Sequence, residues 1–200
     1  MIKLKKHSLI FSVFILIILS FMGCSSNSKT SKDTNSSKSS TSSDNKKTDV
    51  LNYYKKVDLG MTKDQVGSTL ALKPEAKTGK FSLPNSFDYL NHDTGYGLYV
   101  LYNSKNVVYS KFYICGDYSE IAKLCKNSVN ENQVSKITKN MDYKEVITIL
   151  GGEGVECGTS ADENNGNVIG VSRMWANKDG SYILVLFSKD NKVTVANYIS

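Results

Sequence analysis

The sequence predicts an α+β fold, a tandem repeat of two short helices packed on a three- to four-stranded antiparallel sheet, carried by residues 50–200. Three observations predict it. A helix-entry motif occurs twice at an offset of 80, and a β-branched, aromatic run closed by a turn occurs twice at an offset of 85. The apolar residues a core needs are abundant from Val50 onward and absent from the 25 residues before it.

At the N-terminus Lys3, Lys5 and Lys6 precede an uncharged run of fifteen residues, Ser8 to Met22. That is shorter than the roughly 20 residues a spanning helix needs and has the build of a secretory signal. The run ends in Phe21-Met22-Gly23-Cys24, which resembles a bacterial lipobox, with Cys24 as the residue that takes the lipid. The reading is a signal at 1–23 and a chain held outside the cytoplasm on the membrane by lipid on Cys24; an uncleaved N-terminal anchor competes with it. Residues 25–49 hold ten Ser, four Thr, five Lys, three Asn and three Asp. With nothing to bury against the entropy of ordering, 24–49 reads as a disordered tether.

Charge follows this division. Removing the eight basic and three acidic residues of the first 49 from the totals of 25 and 19 leaves a net charge of +1 for the remainder. No concentrated basic face is left for nucleic acid, so no nucleic-acid partner is expected.

From Val50 the first repeat is expected over 50–114. A short helix begins near Asp49, with Leu51, Tyr54 and Val57 on its buried face, and a second opens at Thr62, where Gln65 has capping-box spacing and Met61 with Val66 that of a hydrophobic staple. Strands follow through Leu98-Tyr99-Val100-Leu101-Tyr102 and the segment from Val108 to Ile114, joined by Asn103-Ser104-Lys105-Asn106. A connecting segment at 115–131 has room for one or two helical turns.

The second repeat, 132–200, restates these features. Asn130 precedes Val134 and Ile137; Met141, Asp142, Glu145 and Val146 rebuild box and staple; Ile183-Leu184-Val185-Leu186-Phe187 and the segment from Val193 to Ile199 flank a turn at Asn191. Asp179-Gly180 marks a further hairpin.

The phrase Leu59-Gly60-Met61-Thr62-Lys63-Asp64-Gln65-Val66, with its looser copy at Met141 to Val146, is similar to the signature of the β-lactamase-inhibitor protein (BLIP) family and of related assembly lipoproteins of the SmpA/OmlA type. The duplication resembles the inhibitors in particular. The resemblance implies two helices on one side of a four-stranded sheet in each copy, with the sheets joined into a concave, partner-binding surface. It also implies a hairpin loop that carries an acidic residue into an enzyme's active site. The matching stretch, Phe81 to Tyr89, has Asn85 at its tip and Asp88 further along. The family's disulfides are not kept: of their cysteines only the position of Cys157 is matched.

Alternation places Tyr109, Lys111 and Tyr113 on one face of their strand, and Tyr198 and the pair Arg173 and Trp175 on one face of theirs. Together with Tyr99 and Asn85 these are the candidate protein-binding residues, since Tyr, Trp and Arg concentrate at interfaces; ordinary burial in the sheet is the competing reading. Enzyme chemistry is poorly represented. Asp93-Thr94-Gly95 lacks the second carboxylate of an aspartic dyad, Gly151-Gly152-Glu153-Gly154 follows a helix and lacks a phosphate-loop Lys, and only His7 and His92 occur. No catalytic residue, cofactor or metal is expected. Cys115, Cys125 and Cys157 are an odd set, read either as a Cys115–Cys125 bridge with one free thiol or as three reduced thiols. The functional expectation is a non-catalytic cell-surface lipoprotein that binds another protein through a concave sheet, by resemblance an envelope enzyme of β-lactamase or penicillin-binding type. A structural envelope-assembly module is the alternative.

Overall fold

In a computed structural model the chain is described at residues 50–77 and 82–200; the signal, lipidation and tether readings fall on 1–49 and lie outside the described residues. The first half runs α1 (Asn52–Lys56), α2 (Lys63–Leu70), β1 (Glu75–Ala76), β2 (Ser86–Asn91), β3 (Tyr96–Tyr102) and β4 (Val108–Cys115). After a connector holding α3 (Ser119–Ala122), the second half runs α4 (Glu131–Val134), α5 (Tyr143–Leu150), β5 (Val155–Ala161), β6 (Val168–Ala176), β7 (Tyr182–Ser188) and β8 (Val193–Ile199).

The predicted fold class needs correction. The chain does not divide into repeats of two helices on a three- to four-stranded sheet: it builds one open sheet of eight antiparallel strands in strict chain order, and the sheet dominates the molecule. The reason lies at β5. Val155-Glu156-Cys157-Gly158-Thr159-Ser160-Ala161 has little β-propensity of its own, yet it pairs with β6 along its length and with β4 at Ser110–Ser160, Lys111–Thr159 and Phe112–Gly158, which joins the two halves. Gly158 permits this approach, because a Cβ there would stand 2.6 Å from the Phe112 ring. The helices are minor, four to eight residues each.

Both halves are nonetheless entered in the same way. Thr62 with Gln65, and Asp142 with Glu145, form capping boxes at the starts of α2 and α5, with the Gln65 and Glu145 side chains each accepting from the cap N–H at 2.8 Å. Just before them Gly60 donates to Val108 and Val108 to Met61, both at 2.8 Å; Asn140 donates to Val193 at 2.8 Å and Val193 to Met141 at 2.9 Å. Gly60 has φ +90° and Asn140 φ +69°, so asparagine fills the left-handed position that glycine fills in the first half. The turns also correspond, with Asn106 and Asn191 both at φ +57°.

The helices cover one face of the sheet. In the second half Ile137, Val146 and Leu150 pack against Trp175, Ile183, Val185, Phe187 and Val193. In the first, α1 packs on β3 and β4, and Val57, Val66 and Leu70 are buried. Leu98 through Tyr102 are all buried, so β3 is covered on both sides.

Candidate functional site

The seam between the halves carries a polar cluster on the helix-covered face. Register places Lys111 of β4 beside Thr159 of β5, and Glu156 of β5 beside Arg173 of β6. Side chains opposite one another in antiparallel strands share a face, and α1 and α5 add Tyr54 and Tyr143. The Tyr54 hydroxyl donates to Glu156 Oε1 at 2.9 Å and lies 2.5 Å from Thr159 Oγ1. Arg173 pairs with Glu156 Oε2 at 3.4 Å, donates to the Gly154 carbonyl at 3.0 Å and stacks 4.8 Å above the Tyr143 ring. Lys111 donates to the carbonyls of Tyr54 at 2.9 Å and Val57 at 2.5 Å, and its ammonium sits 4.1 Å over the Tyr54 ring.

Burial tunes these groups unevenly. Desolvation lowers the Lys111 pKa, opposed by the charges of Asp58 and Glu156. It raises Tyr54 and Tyr143 above the ordinary phenol value, with Arg173 pulling Tyr143 back. The outer members stay open to solvent: the side chains of Arg173 and Glu156 are 26% and 41% exposed. The seam therefore presents a fixed guanidinium, a carboxylate and a tyrosine ring side by side. Both terminal nitrogens of the guanidinium are engaged within it, one at the Gly154 carbonyl and one at Glu156.

The eight sequence-derived candidates with described surroundings are scattered. Tyr99, Tyr113 and Trp175 are almost completely inaccessible, so these three are corrected from an exposed recognition face to buried packing. Trp175 donates from its indole to Gly152 O at 2.8 Å, and a Cβ on Gly154 would lie 2.7 Å from its ring, so the glycine-rich stretch serves tryptophan packing. Lys111 is corrected likewise, since it closes the end of α1 instead of facing solvent. Tyr109 is the extra residue of a bulge between β3 and β4 and is half-buried, its hydroxyl pushed up to about 12 by that burial. Tyr198 is half-buried against the second-half core. Asn85 is exposed at φ +56°, where its amide donates to the carbonyls of Tyr102 and Asn103 and to Asn106 Oδ1, tying its own turn to the next. Only Arg173 and Lys111 meet in the seam.

As members of a site, Glu156, Thr159, Tyr54 and Tyr143 escaped the sequence reading, which placed Tyr54 only on the first helix. Nothing in the weak strand around Glu156 signals a site, and only its pairing with β4 and β6 brings it to Tyr54. The three cysteines are free, and burial raises Cys115 to about 12 and Cys157 still higher. Among the described residues no group of three His, Cys, Asp or Glu could hold a metal ion, and no helix is long and apolar enough to cross a membrane. No family model and no curated protein matches this chain.

Proposed function

We propose that this chain is a non-catalytic, extracytoplasmic lipoprotein, anchored through lipid on Cys24, that binds another protein through the seam between its two halves. The observation that carries the reading is the half-exposed Arg173, held on Tyr143 and against Glu156. Arginine and tyrosine are the residues most often found at the energetic centre of protein interfaces, and a side chain already fixed in place loses little entropy on binding. The resemblance of the Gly60 to Val66 phrase to inhibitor proteins makes an envelope enzyme of β-lactamase or penicillin-binding type the partner to test first.

The experiment is a pull-down from native envelopes with the full chain, comparing wild type with Arg173→Ala and Glu156→Gln, alongside nitrocefin hydrolysis and penicillin acylation assays. Arg173→Ala should weaken capture of the partner by about 30-fold, the equivalent of roughly 2 kcal/mol at a hot spot. Slowed hydrolysis or acylation at stoichiometric amounts supports the inhibitor partner, whereas recovery with a membrane complex and no effect on either enzyme assigns the chain to envelope assembly. Equal partner yields from wild type and both variants would remove the seam as the binding surface.

A further inference from the structure

Among the described residues, the internal correspondence between the halves leaves unused in the second half an edge that is paired in the first. β4 pairs inward with β3 and, at Ser110, Lys111 and Phe112, gives its outer edge to β5. β8 is the equivalent strand, with Val193, Tyr198 and Ile199 answering Val108, Tyr113 and Ile114. It pairs inward with β7, and its first residue repeats the outer contacts of its counterpart, since Val193 exchanges hydrogen bonds with Asn140 and Met141 as Val108 does with Gly60 and Met61. Beyond that point the likeness stops. Where β4 meets β5, residues 194–199 of β8 have no strand on their outer side among the described residues. All of them are half-exposed.

A bare edge invites pairing, and proteins usually guard it with charge, proline or shortness. β8 has none of these guards: no charged residue and no proline stands between Val193 and Ser200. The opposite edge of the sheet is guarded, because β1 is two residues long and lies between Pro74 and Lys77. The helices do not block the open edge either. α4 packs against β8 as α1 packs against β4, and β4 accepts a strand with α1 in place.

We infer that residues 194–199 pair antiparallel with the same strand of a second copy of this chain, extending the eight strands into one continuous sheet of sixteen. The occupant follows from charge and symmetry. An identical strand brings no charge to an uncharged edge, and a two-fold normal to the sheet keeps the helices of both copies on the same side. The contact is isologous and closes at two copies, while the guarded β1 edge stops further growth. Opposed residues must share a face, so one residue meets its own copy across the axis, and centring the contact on 194–199 makes that residue Ala196 or Asn197. With Ala196 there, Thr194 meets Tyr198 and Val195 meets Asn197; with Asn197 there, Ala196 meets Tyr198 and Val195 meets Ile199. The first register sets the β-branched Thr194 against the aromatic Tyr198, a pair that stabilises a sheet, and the second sets Val195 against Ile199, two β-branched side chains suited to strands.

The test is sedimentation equilibrium of the full chain in density-matched detergent, at about 100 μM, where a dimer of micromolar Kd is well populated. Wild type should run at twice the monomer mass. Asn197→Lys places like charges at or beside the axis and should weaken association about tenfold or more, while the monomer, melted at a concentration well below the Kd, keeps the wild-type melting temperature. Separately, Ala196→Cys and Asn197→Cys, oxidised in the same detergent, should give a disulfide-linked dimer from at least one, since opposed Cα atoms stand at a bridgeable distance; Val168→Cys, exposed on β6, should not. A monomeric wild type overturns the inference, including the case where β8 instead accepts an extended segment of another protein. So does a dimer whose affinity Asn197→Lys leaves unchanged. Should the variant melt lower as a monomer, below the Kd, the cysteine result decides alone, and linkage no greater than that of Val168→Cys overturns the inference.

Discussion

Lys111 shows how one residue can be read correctly for chemistry and wrongly for place. It alternates with tyrosines along its strand, which suggests a solvent-facing recognition surface, but its ammonium is turned under α1 and donates to the carbonyls of Tyr54 and Val57. A helix of five residues leaves its last carbonyls without intrahelical partners, and the lysine supplies them. Lys111→Met keeps the length of the side chain and removes the donors. It should destabilise the protein by about 1–3 kcal/mol in urea unfolding at pH 7, the cost of leaving buried acceptors unsatisfied. The pH dependence has a definite sign. Burial sets the folded pKa of Lys111 below the ordinary lysine value of 10.5, so between the two the unfolded chain binds more protons and this lysine's contribution to stability rises with pH. The Met variant should lack that rise.

At the scale of elements, the helix entries and exits can be tested in pairs. Thr62→Ala and Asp142→Ala should each cost about 0.5–2 kcal/mol by removing a cap, measured as a shift in denaturation midpoint; Asp142 also pairs with Lys192 at 2.8 Å, an exposed contact that adds little. The exits differ. α5 ends on Gly151 at φ +77°, but α2 ends on Ala71 at φ +53°, a left-handed conformation that alanine adopts at a cost. Ala71→Gly should therefore stabilise the protein by roughly 0.5–1 kcal/mol. Gly151→Ala should do the opposite, since a Cβ there would lie 2.3 Å from the Asn127 amide as well as in a strained backbone.

For the whole molecule, the desolvated tyrosines set an alkaline limit. Desolvation raises Tyr54, Tyr102, Tyr113 and Tyr118 well above the ordinary phenol value of 10.0, and lifts Tyr109 and Tyr182 to about 12. A phenol whose folded pKa exceeds its unfolded one stabilises the fold fully below pH 10, and that stability is lost as pH rises toward the folded value. Several groups act in the same direction and outweigh the rise from Lys111. Stability should fall steeply above pH 10, and the rise in absorbance at 295 nm from these six tyrosines should coincide with loss of circular dichroism. Titration of all twelve tyrosines near pH 10 in a folded chain would contradict the burial.

What the sequence determined by itself was local. Thr62-Lys63-Asp64-Gln65 and Asp142-Tyr143-Lys144-Glu145 specify helix starts because cap and partner lie three residues apart, and Asn103 to Asn106 and Ser188 to Asn191 specify turns because asparagine tolerates positive φ. The β-branched and aromatic runs that became β3 and β7 were equally legible. Tertiary structure decided everything that depends on contacts between distant residues. The strand at β5 exists because β4 and β6 complete its hydrogen bonds, and with it the expected pair of repeats becomes one sheet. Burial of Tyr99, Tyr113 and Trp175 was undecided in the sequence, since a strand apolar on both sides does not say which sides are covered. The seam of Tyr54, Glu156, Thr159 and Arg173 brings together residues about a hundred positions apart, and only the register between the halves puts a carboxylate, a phenol and a guanidinium within reach of one another.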